Sequence, residues 1–480
     1  MEQNQSRLMR KTLKKLFDPQ CFIEPSQIQG GLVGIREGYG RCMGMAWPAM
    51  VESLLNVMLT FVDTLMVGVL GDRAISAVGV TTQPKFLMLM FLLSLNIGVT
   101  AIVARRKGEG DIKGCCRSLK QALMVSLLLS VLVLTGSLLF ANELLSLAGA
   151  QSDYIADSVT YFRIVMVGQF FGCLGMTINA AQRGFGNTKV PMASNVAANI
   201  INLVLNYLLI NGIWFFPRLG LIGSAVSTAF STFVIFLLAL YSVVSPRSHG
   251  GLSIVGGASG TWHFEKNTLK SIYKVASSAL VEQAFMRFGF FTYASMVARL
   301  GTVQFATHQI CMNMINISFA VSDGFGVAAT CLVGQSLGAK RPDLAKVYGT
   351  ISQRCSMVLG LALCALFLLL RKQLIMLFTD EQPIIEMGAQ IMFIIAATSL
   401  AQTSQVVISG CLRGAGDTRF VAVSSLVSVG AIRPGLSWLL CYPVGLGLIG
   451  AWIGLFADQF LRLLLNAARF KSGRWTQIKL

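Results

Sequence analysis

Apolar runs of bilayer-spanning length recur along the chain at 42–70, 77–104, 119–140, 158–182, 190–213 and 220–245, then at 271–299, 305–335, 347–370, 384–410, 420–443 and 447–470. Short polar or glycine-bearing connections separate them, so the pattern predicts an all-α polytopic membrane protein with 12 transmembrane helices.

The two sets of six are copies of each other. Ala46–Glu52 (AWPAMVE) and Ala276–Glu282 (ASSALVE) lie 230 residues apart, and the same offset relates Leu70-Gly71 to Leu300-Gly301, Gly108 to Gly338, and RGFGNTK at 183–189 to RGAGDTR at 413–419. GLIG at 220–223 recurs at 447–450, displaced by 227. An even number of spans per copy inserts both the same way up, so two pseudo-symmetric six-helix lobes are expected about an axis along the membrane normal. The expected organisation is a basic N-terminal segment at 1–41, an N-lobe at 42–245, a connector at 246–270, a C-lobe at 271–470 and a tail at 471–480. Pro246, His249 to Gly251 and Gly256-Gly257 suit a flexible link in that connector.

Polar positions inside the runs are the informative ones. In the first run Glu52, Asn56, Thr60 and Asp63 fall, at about 100° per residue, within one narrow stripe of a helix otherwise made of Leu, Val, Met and Phe. An unpaired carboxylate at membrane depth is costly, so such an acid faces a bundle interior or a wet cavity and marks an ion path. Pro48, read as lying near the start of this helix, removes a backbone donor and predicts a hinge. Asn195, Asn199, Asn202 and Asn206 share one face of the fifth run. They suit either amide ligands and donors for Asp63 or plain interhelical hydrogen bonding.

The second copy differs: Tyr293 stands where Asp63 stands in the first, while Glu282 keeps the place of Glu52. Its intramembrane charges Glu282, Arg287, Asp323 and Arg433 are expected to pair among themselves, and Asp458 and Arg462, four residues apart, with each other. Thr398, Gln402, Gln405 and Ser409 share a helical face expected to line a C-lobe cavity. Glu282, Arg287, Tyr293, Gln402 and Gln405, with Asn195 and Asn199, are the candidate substrate-cavity residues. His308, near a helix end, is expected to hydrogen-bond locally.

Composition closes off other classes. A chain 54% hydrophobic and only 12% charged, with mean hydropathy +0.66, is not a soluble domain. Its net charge of +18 would suggest nucleic acid in a soluble protein, but topology explains it better. With the N-terminus inside, 28 of the 39 Lys and Arg fall on cytosolic segments and five on outer loops, which places both termini in the cytosol. Met9, Leu13, Leu16 and Phe17, among Arg7, Arg10, Lys11, Lys14 and Lys15, suit either a helix on an anionic membrane surface or a disordered basic tail. The eleven cysteines show no CxxC or metal-ligand spacing and read as small core hydrophobes. The 21 methionines and 30 phenylalanines suit a cavity for varied greasy cations, although each one taken singly reads as packing. The RG-x-G-[ND]-T loops read as helix capping. No Walker A sequence, HExxH or Ser-His-Asp set appears, so neither ATP-driven transport nor an enzyme is expected.

Four stretches carry a resemblance: PAMVESLLNVMLTFVDTLMVGVLG at 48–71, the paired RG-x-G-[ND]-T loops, ATHQI at 306–310 and GVAATCLVGQSLGA at 326–339. They resemble the multidrug and toxic compound extrusion (MATE) transporters over about 40–470. The resemblance implies a two-lobed exporter driven by inward flow of H⁺ or Na⁺. In that family an acid on the first helix is the usual cation-coupling group, and Asp63 occupies its motif position. Some members bring a second aspartate from the fifth helix. Here that position is Asn206, with Asn202 matching the asparagine one turn earlier, so the resemblance implies a single-acid site.

The reading is therefore a secondary active antiporter in the cell membrane, working as a monomer. It would exchange organic, amphipathic, cationic compounds for H⁺ or Na⁺ and use no other cofactor. Asp63, Asn202, Asn206, Glu52 and Asn56 are the candidate coupling residues and Pro48 the hinge. The alternatives are a flippase for lipid-linked sugars and a non-transporting membrane sensor or scaffold.

Overall fold

A computed structural model describes residues 17–213, 216–245, 251–255 and 262–478. The basic segment at 1–16 and the connector residues Pro246, His249 and Gly256-Gly257 lie outside the described residues. Among the described residues there is no strand.

Twelve long helices follow one another: α1 Ile35–Gly68, α2 Asp72–Gly108, α3 Ile112–Leu139, α4 Ile155–Phe185, α5 Lys189–Asn211, α6 Leu221–Val244, α7 Lys266–Ala298, α8 Thr302–Gly338, α9 Pro342–Leu369, α10 Gln382–Ala415, α11 Thr418–Cys441 and α12 Gly447–Lys471. Short helices Ala141–Leu147 and Arg371–Met376 follow α3 and α9, the same place in each copy. Eleven of the twelve are long and apolar enough to cross a membrane. The remaining one, α7, is 33 residues long but falls short on apolarity, carrying Lys266, Lys270 and Lys274 in its first half and Glu282, Gln283 and Arg287 in its second. Because α1 begins at Ile35, Pro48 lies roughly three and a half turns inside it, which corrects the expectation of a proline near the helix start.

The middle of α11 is a seven-residue π-helix, Leu426–Ile432, directly before Arg433 and Pro434. Proline lacks the backbone donor and its ring presses on the carbonyl one turn back. The widened i to i+5 spacing upstream relieves that contact and fixes where Arg433 points.

By packing, the chain forms two compact units: Val51–Val103 with Asp111–Leu280, and the chain up to Met50 with Ala104–Gly110 and Val281–Leu480. Helices α1, α2 and α7 thus each contribute one part to each unit. The first unit has its largest core around Val99, Val103, Leu119, Ile178, Ala181 and Val243. In the second, one core surrounds Cys42, Phe325, Leu332 and Trp475, and another surrounds Tyr293, Ile315, Ile395 and Trp452. The N-terminal segment joins the former, where Gln29 N–H donates to Asp343 Oδ2 at 3.2 Å. Most cysteines are buried, as core hydrophobes should be, and among the described residues all are free thiols.

Within the second unit two helix ends meet reciprocally. A Cβ on Gly108 would fall 1.9 Å from the Gln335 carbonyl oxygen, and one on Gly338 would fall 2.0 Å from that of Arg105. Arg105 and Gln335 are themselves repeat equivalents, so each copy supplies the glycine that admits the other's backbone.

Candidate functional site: a polar seam along the first helix of each repeat

Helices α1 and α5 meet through three side-chain pairs separated by the same 143 residues. Asn195 Nδ2 donates to Glu52 Oε1 at 2.8 Å, Asn199 Nδ2 to Asn56 Oδ1 at 3.1 Å, and Asn206 Nδ2 to Asp63 Oδ1 at 2.6 Å. A constant separation with both numbers rising describes parallel neighbours in one fixed register. The pairs recur because positions four and seven apart share a helix face.

Asp63, half-buried, is the best-furnished of the three. Beyond its bond from Asn206 it faces Asn202, whose amide has two workable orientations. With the oxygen toward α5's next turn, Asn202 Oδ1 accepts from Asn206 Nδ2 at 3.2 Å; with the nitrogen toward α1 it donates to Asp63 Oδ1 at 3.0 Å and accepts from the Thr228 N–H at 3.3 Å. Asn206 Oδ1 is buried and has no hydrogen-bond partner. One carboxylate, one amide oxygen without a partner and the Asn202 amide therefore stand together, a set suited to a proton or a small hard cation. The ammonium of Lys85 on α2 also acts on the Asp63 charge. Among the described residues no group of three or more His, Cys, Asp and Glu is placed to hold a metal ion.

Glu52 is held differently from Asp63. Arg183, at the C-terminal end of α4, donates to Glu52 Oε1 alongside Asn195. The second copy repeats the arrangement, with Arg413 of α10 on Glu282 Oε1 and Ser425, the equivalent of Asn195, 3.4 Å from the same oxygen. This corrects the expectation that Glu282 pairs with Arg287 or Arg433. The loop glycines do cap helices, but the preceding ones. Gly186 and Gly416, at φ 96° and 86°, are left-handed caps of the preceding helices, and Asp417 accepts from Arg469 at 2.7 Å instead of capping the next helix.

Arg433 belongs to a separate buried cluster. Its Nε donates to Asp458 Oδ2 at 3.0 Å, reinforced by Nη2, while Arg462 Nε lies 3.3 Å from Asp458 Oδ1. Tyr293, Gln402 and Gln405, expected to face a cavity, are all buried, and Gln405 Nε2 donates to Ser409 at 2.9 Å. Thr398 is buried as well, while Arg287 is half-buried on α7. His308 makes no local hydrogen bond through Nδ1; its ring packs between Tyr293, Phe305 and Trp452, a correction that follows from its burial among aromatic side chains. Asn195 and Asn199 face α1.

A family model described as MatE matches residues 48–208 and again 278–439, two matches that begin at the repeat offset. The chain belongs to the MatE family. A MatE-related protein of Bacillus subtilis, "Uncharacterized transporter YisQ", is 26% identical over 437 residues, covering 90% of this chain and 94% of its own. "Probable multidrug resistance protein NorM" of Thermotoga maritima is 27% identical over 434 residues, covering 90% and 92%. A solved structure described as the outward-facing conformation of a multidrug resistance MATE family transporter has TM-score 0.84 at 20% identity, covering 91% of this chain and 97% of that one, and so shares the fold. The Asp63–Asn206 pair lies inside the first MatE stretch and the Glu282–Arg413 pair inside the second, whereas Asp458 and Arg462 lie beyond both.

Three functional candidates escaped the reading of the sequence: Arg183, Arg413 and Lys85. The two arginines were detectable, since each stands at the same place in a repeated loop and each repeat keeps its glutamate. Lys85 carried no such signal, because it sits alone in an apolar run.

Proposed function

We propose that this MatE-family chain is a secondary active antiporter that expels organic, amphipathic, cationic compounds in exchange for H⁺ or Na⁺. It works as a monomer in the cell membrane with both termini in the cytosol. Asp63 is the coupling group, Asn206 and Asn202 complete its shell, and Pro48 is the hinge that transmits occupancy. The observation that carries this reading is the unpartnered Asn206 Oδ1 beside the Asp63 carboxylate. An arriving Na⁺ would satisfy that oxygen and neutralise the acid together. A proton would neutralise the acid alone and leave Asn206 to reorient. Transport work requires the ion to bind more tightly in one conformation than in the other. Names of relatives such as NorM support a multidrug substrate range.

The test is export of a fluorescent lipophilic cation from proteoliposomes while the pH gradient and the sodium gradient are collapsed separately. Loss of export with one gradient identifies the ion. Export that persists without either gradient removes the antiport reading.

A further inference from the structure

The outward face of α7 is basic over its first turns. Lys266, Lys270 and Lys274 recur every four residues and are exposed, with Tyr273 among them; at about 100° per residue the four fall within about 100° of arc. Thr268, Ile272 and Val275 lie on the opposite side and are buried, so packing turns the lysines outward. Just before the helix Trp262 and Phe264 are exposed too. Three large aromatic side chains therefore accompany the lysines, Trp262 55%, Phe264 59% and Tyr273 73% exposed.

These residues are held in place, and the one acid among them is already engaged. Gln121 of α3 grips the chain before α7 at two points: its Nε2 donates to the His263 carbonyl at 2.6 Å and its Oε1 accepts from the Glu265 N–H at 3.1 Å. Lys120 Nζ lies 5.4 Å from the centre of the Trp262 ring. Glu265 is the only acid between Trp262 and Leu280, and both its oxygens accept hydrogen bonds, one from Arg117 at 3.1 Å and the other from Thr268 at 2.9 Å. All of these residues belong to the first unit. The other repeat supplies a comparison. At the offset of 230, Lys270 and Lys274 correspond to Gly40 and Gly44 of α1, which are exposed as well, and Phe264 corresponds to Gly34. One copy of the scaffold is thus built without these lysines, so the fold itself does not call for them.

Broad aromatic surface beside ammonium groups suits the border of a bilayer, where Trp and Tyr rings settle at headgroup level and lysine side chains reach for the phosphates. Helical side chains point back toward the N-terminus, so Lys274, the farthest along α7, leans toward the level of Lys270. A lysine near an anionic bilayer surface favours contact on the order of fivefold before salt screening. We propose that this face of α7 docks anionic phospholipids, the headgroup phosphates meeting Lys266, Lys270 and Lys274 and the rings of Trp262, Phe264 and Tyr273 lying at the border with the acyl chains. Such docking is independent of which compound or ion the chain carries.

The experiment uses the full chain reconstituted in phosphatidylcholine bilayers that contain either brominated phosphatidylglycerol or brominated phosphatidylcholine at the same mole fraction. Bromine quenches a nearby indole, and the difference between the parent chain and Trp262→Phe isolates Trp262 from the other five tryptophans. The expected result is quenching of Trp262 that corresponds to a roughly threefold to tenfold enrichment of phosphatidylglycerol over its mole fraction. Lys266→Gln/Lys270→Gln/Lys274→Gln should abolish the enrichment, and the corresponding triple arginine variant, which keeps the charge, should retain it. Equal quenching of the parent chain by the two lipids, an enrichment undiminished in the glutamine variant, or its loss in the arginine variant as well overturns the proposal. So does displacement of the lipid by inorganic phosphate at constant ionic strength, which would make the face a phosphate site instead of a lipid surface.

Discussion

Arg183 is bonded to Glu52, and 230 residues on, the same pair recurs as Arg413 on Glu282, each across a separation of 131 residues. Each pair ties the C-terminal end of a repeat's fourth helix to its first. The carboxylates are buried and the arginines keep a little solvent contact. Removing one partner of a buried pair costs about 3–5 kcal/mol because the other charge is left stranded. Arg413→Gln should therefore lower the thermal midpoint markedly, and the double variant Glu282→Gln/Arg413→Gln should recover much of the loss. A thermal double-mutant cycle measures this. If the double variant falls by the sum of the singles, the two residues are not acting as a pair.

At the other end of the seam the pairing partner is an amide, which makes the Asp63 site adjustable. Asp63→Asn keeps an oxygen for Asn206 to bond but cannot exchange an ion, so protein should accumulate normally while gradient-driven export stops. Asn206→Asp sets a second carboxylate beside the first, and two such groups hold a proton between them more strongly than one. The pH at which export falls to half should then rise by about one unit or more, read from export rates between pH 5.5 and 9. An unchanged profile would separate Asn206 from the coupling event.

Gly338 has no room to grow. Its added Cβ would lie 2.0 Å from a backbone oxygen of Arg105, which cannot rotate away as a side chain would. Gly338→Ala should weaken this helix-end contact and lower export at least several-fold. Gly110, with φ 78° but nothing near its Cβ, provides the control: Gly110→Asn, which tolerates that backbone, should cost little. Equal activity of both variants would show that the close approach does not matter.

The helices were legible because burial in lipid demands long apolar runs, and the repeat because its loops kept their glycines. The face that α5 turns to α1 was legible too, since asparagines in a greasy helix must find partners and only one face carried them; the register of the pairs was not. What the residue pattern could not show was which distant charge meets which. Glu282, Arg287, Asp323 and Arg433 read as one group of charges, yet Asp458, one helix on, takes Arg433. The start of α1 was also missed. Ile35 to Gly44 is polar and glycine-rich, and those residues are helical where they pack on the core around Phe325 and Leu332, a tertiary cause that local propensity does not report.

Lys85 offers the sharpest test of how the acid is set. Its ammonium acts on the Asp63 charge from α2, within the same unit, and so opposes any second cation that approaches. In the proposed antiporter that opposition would ease release, since a site that held its ion too tightly would stall. Lys85→Met removes that charge while keeping the length of the side chain. Charge pairs near a protein surface interact by a few kcal/mol at close range, so even partial screening leaves an effect of about threefold to tenfold on ion affinity. Half-maximal export should then be reached at a correspondingly lower concentration of the coupling ion, with a lower maximal rate because release is slower. Lys85→Arg keeps the charge and should behave like the parent chain. If Met and Arg variants have the same ion dependence, the ammonium has no part in coupling and Asp63 is tuned by its amide shell alone.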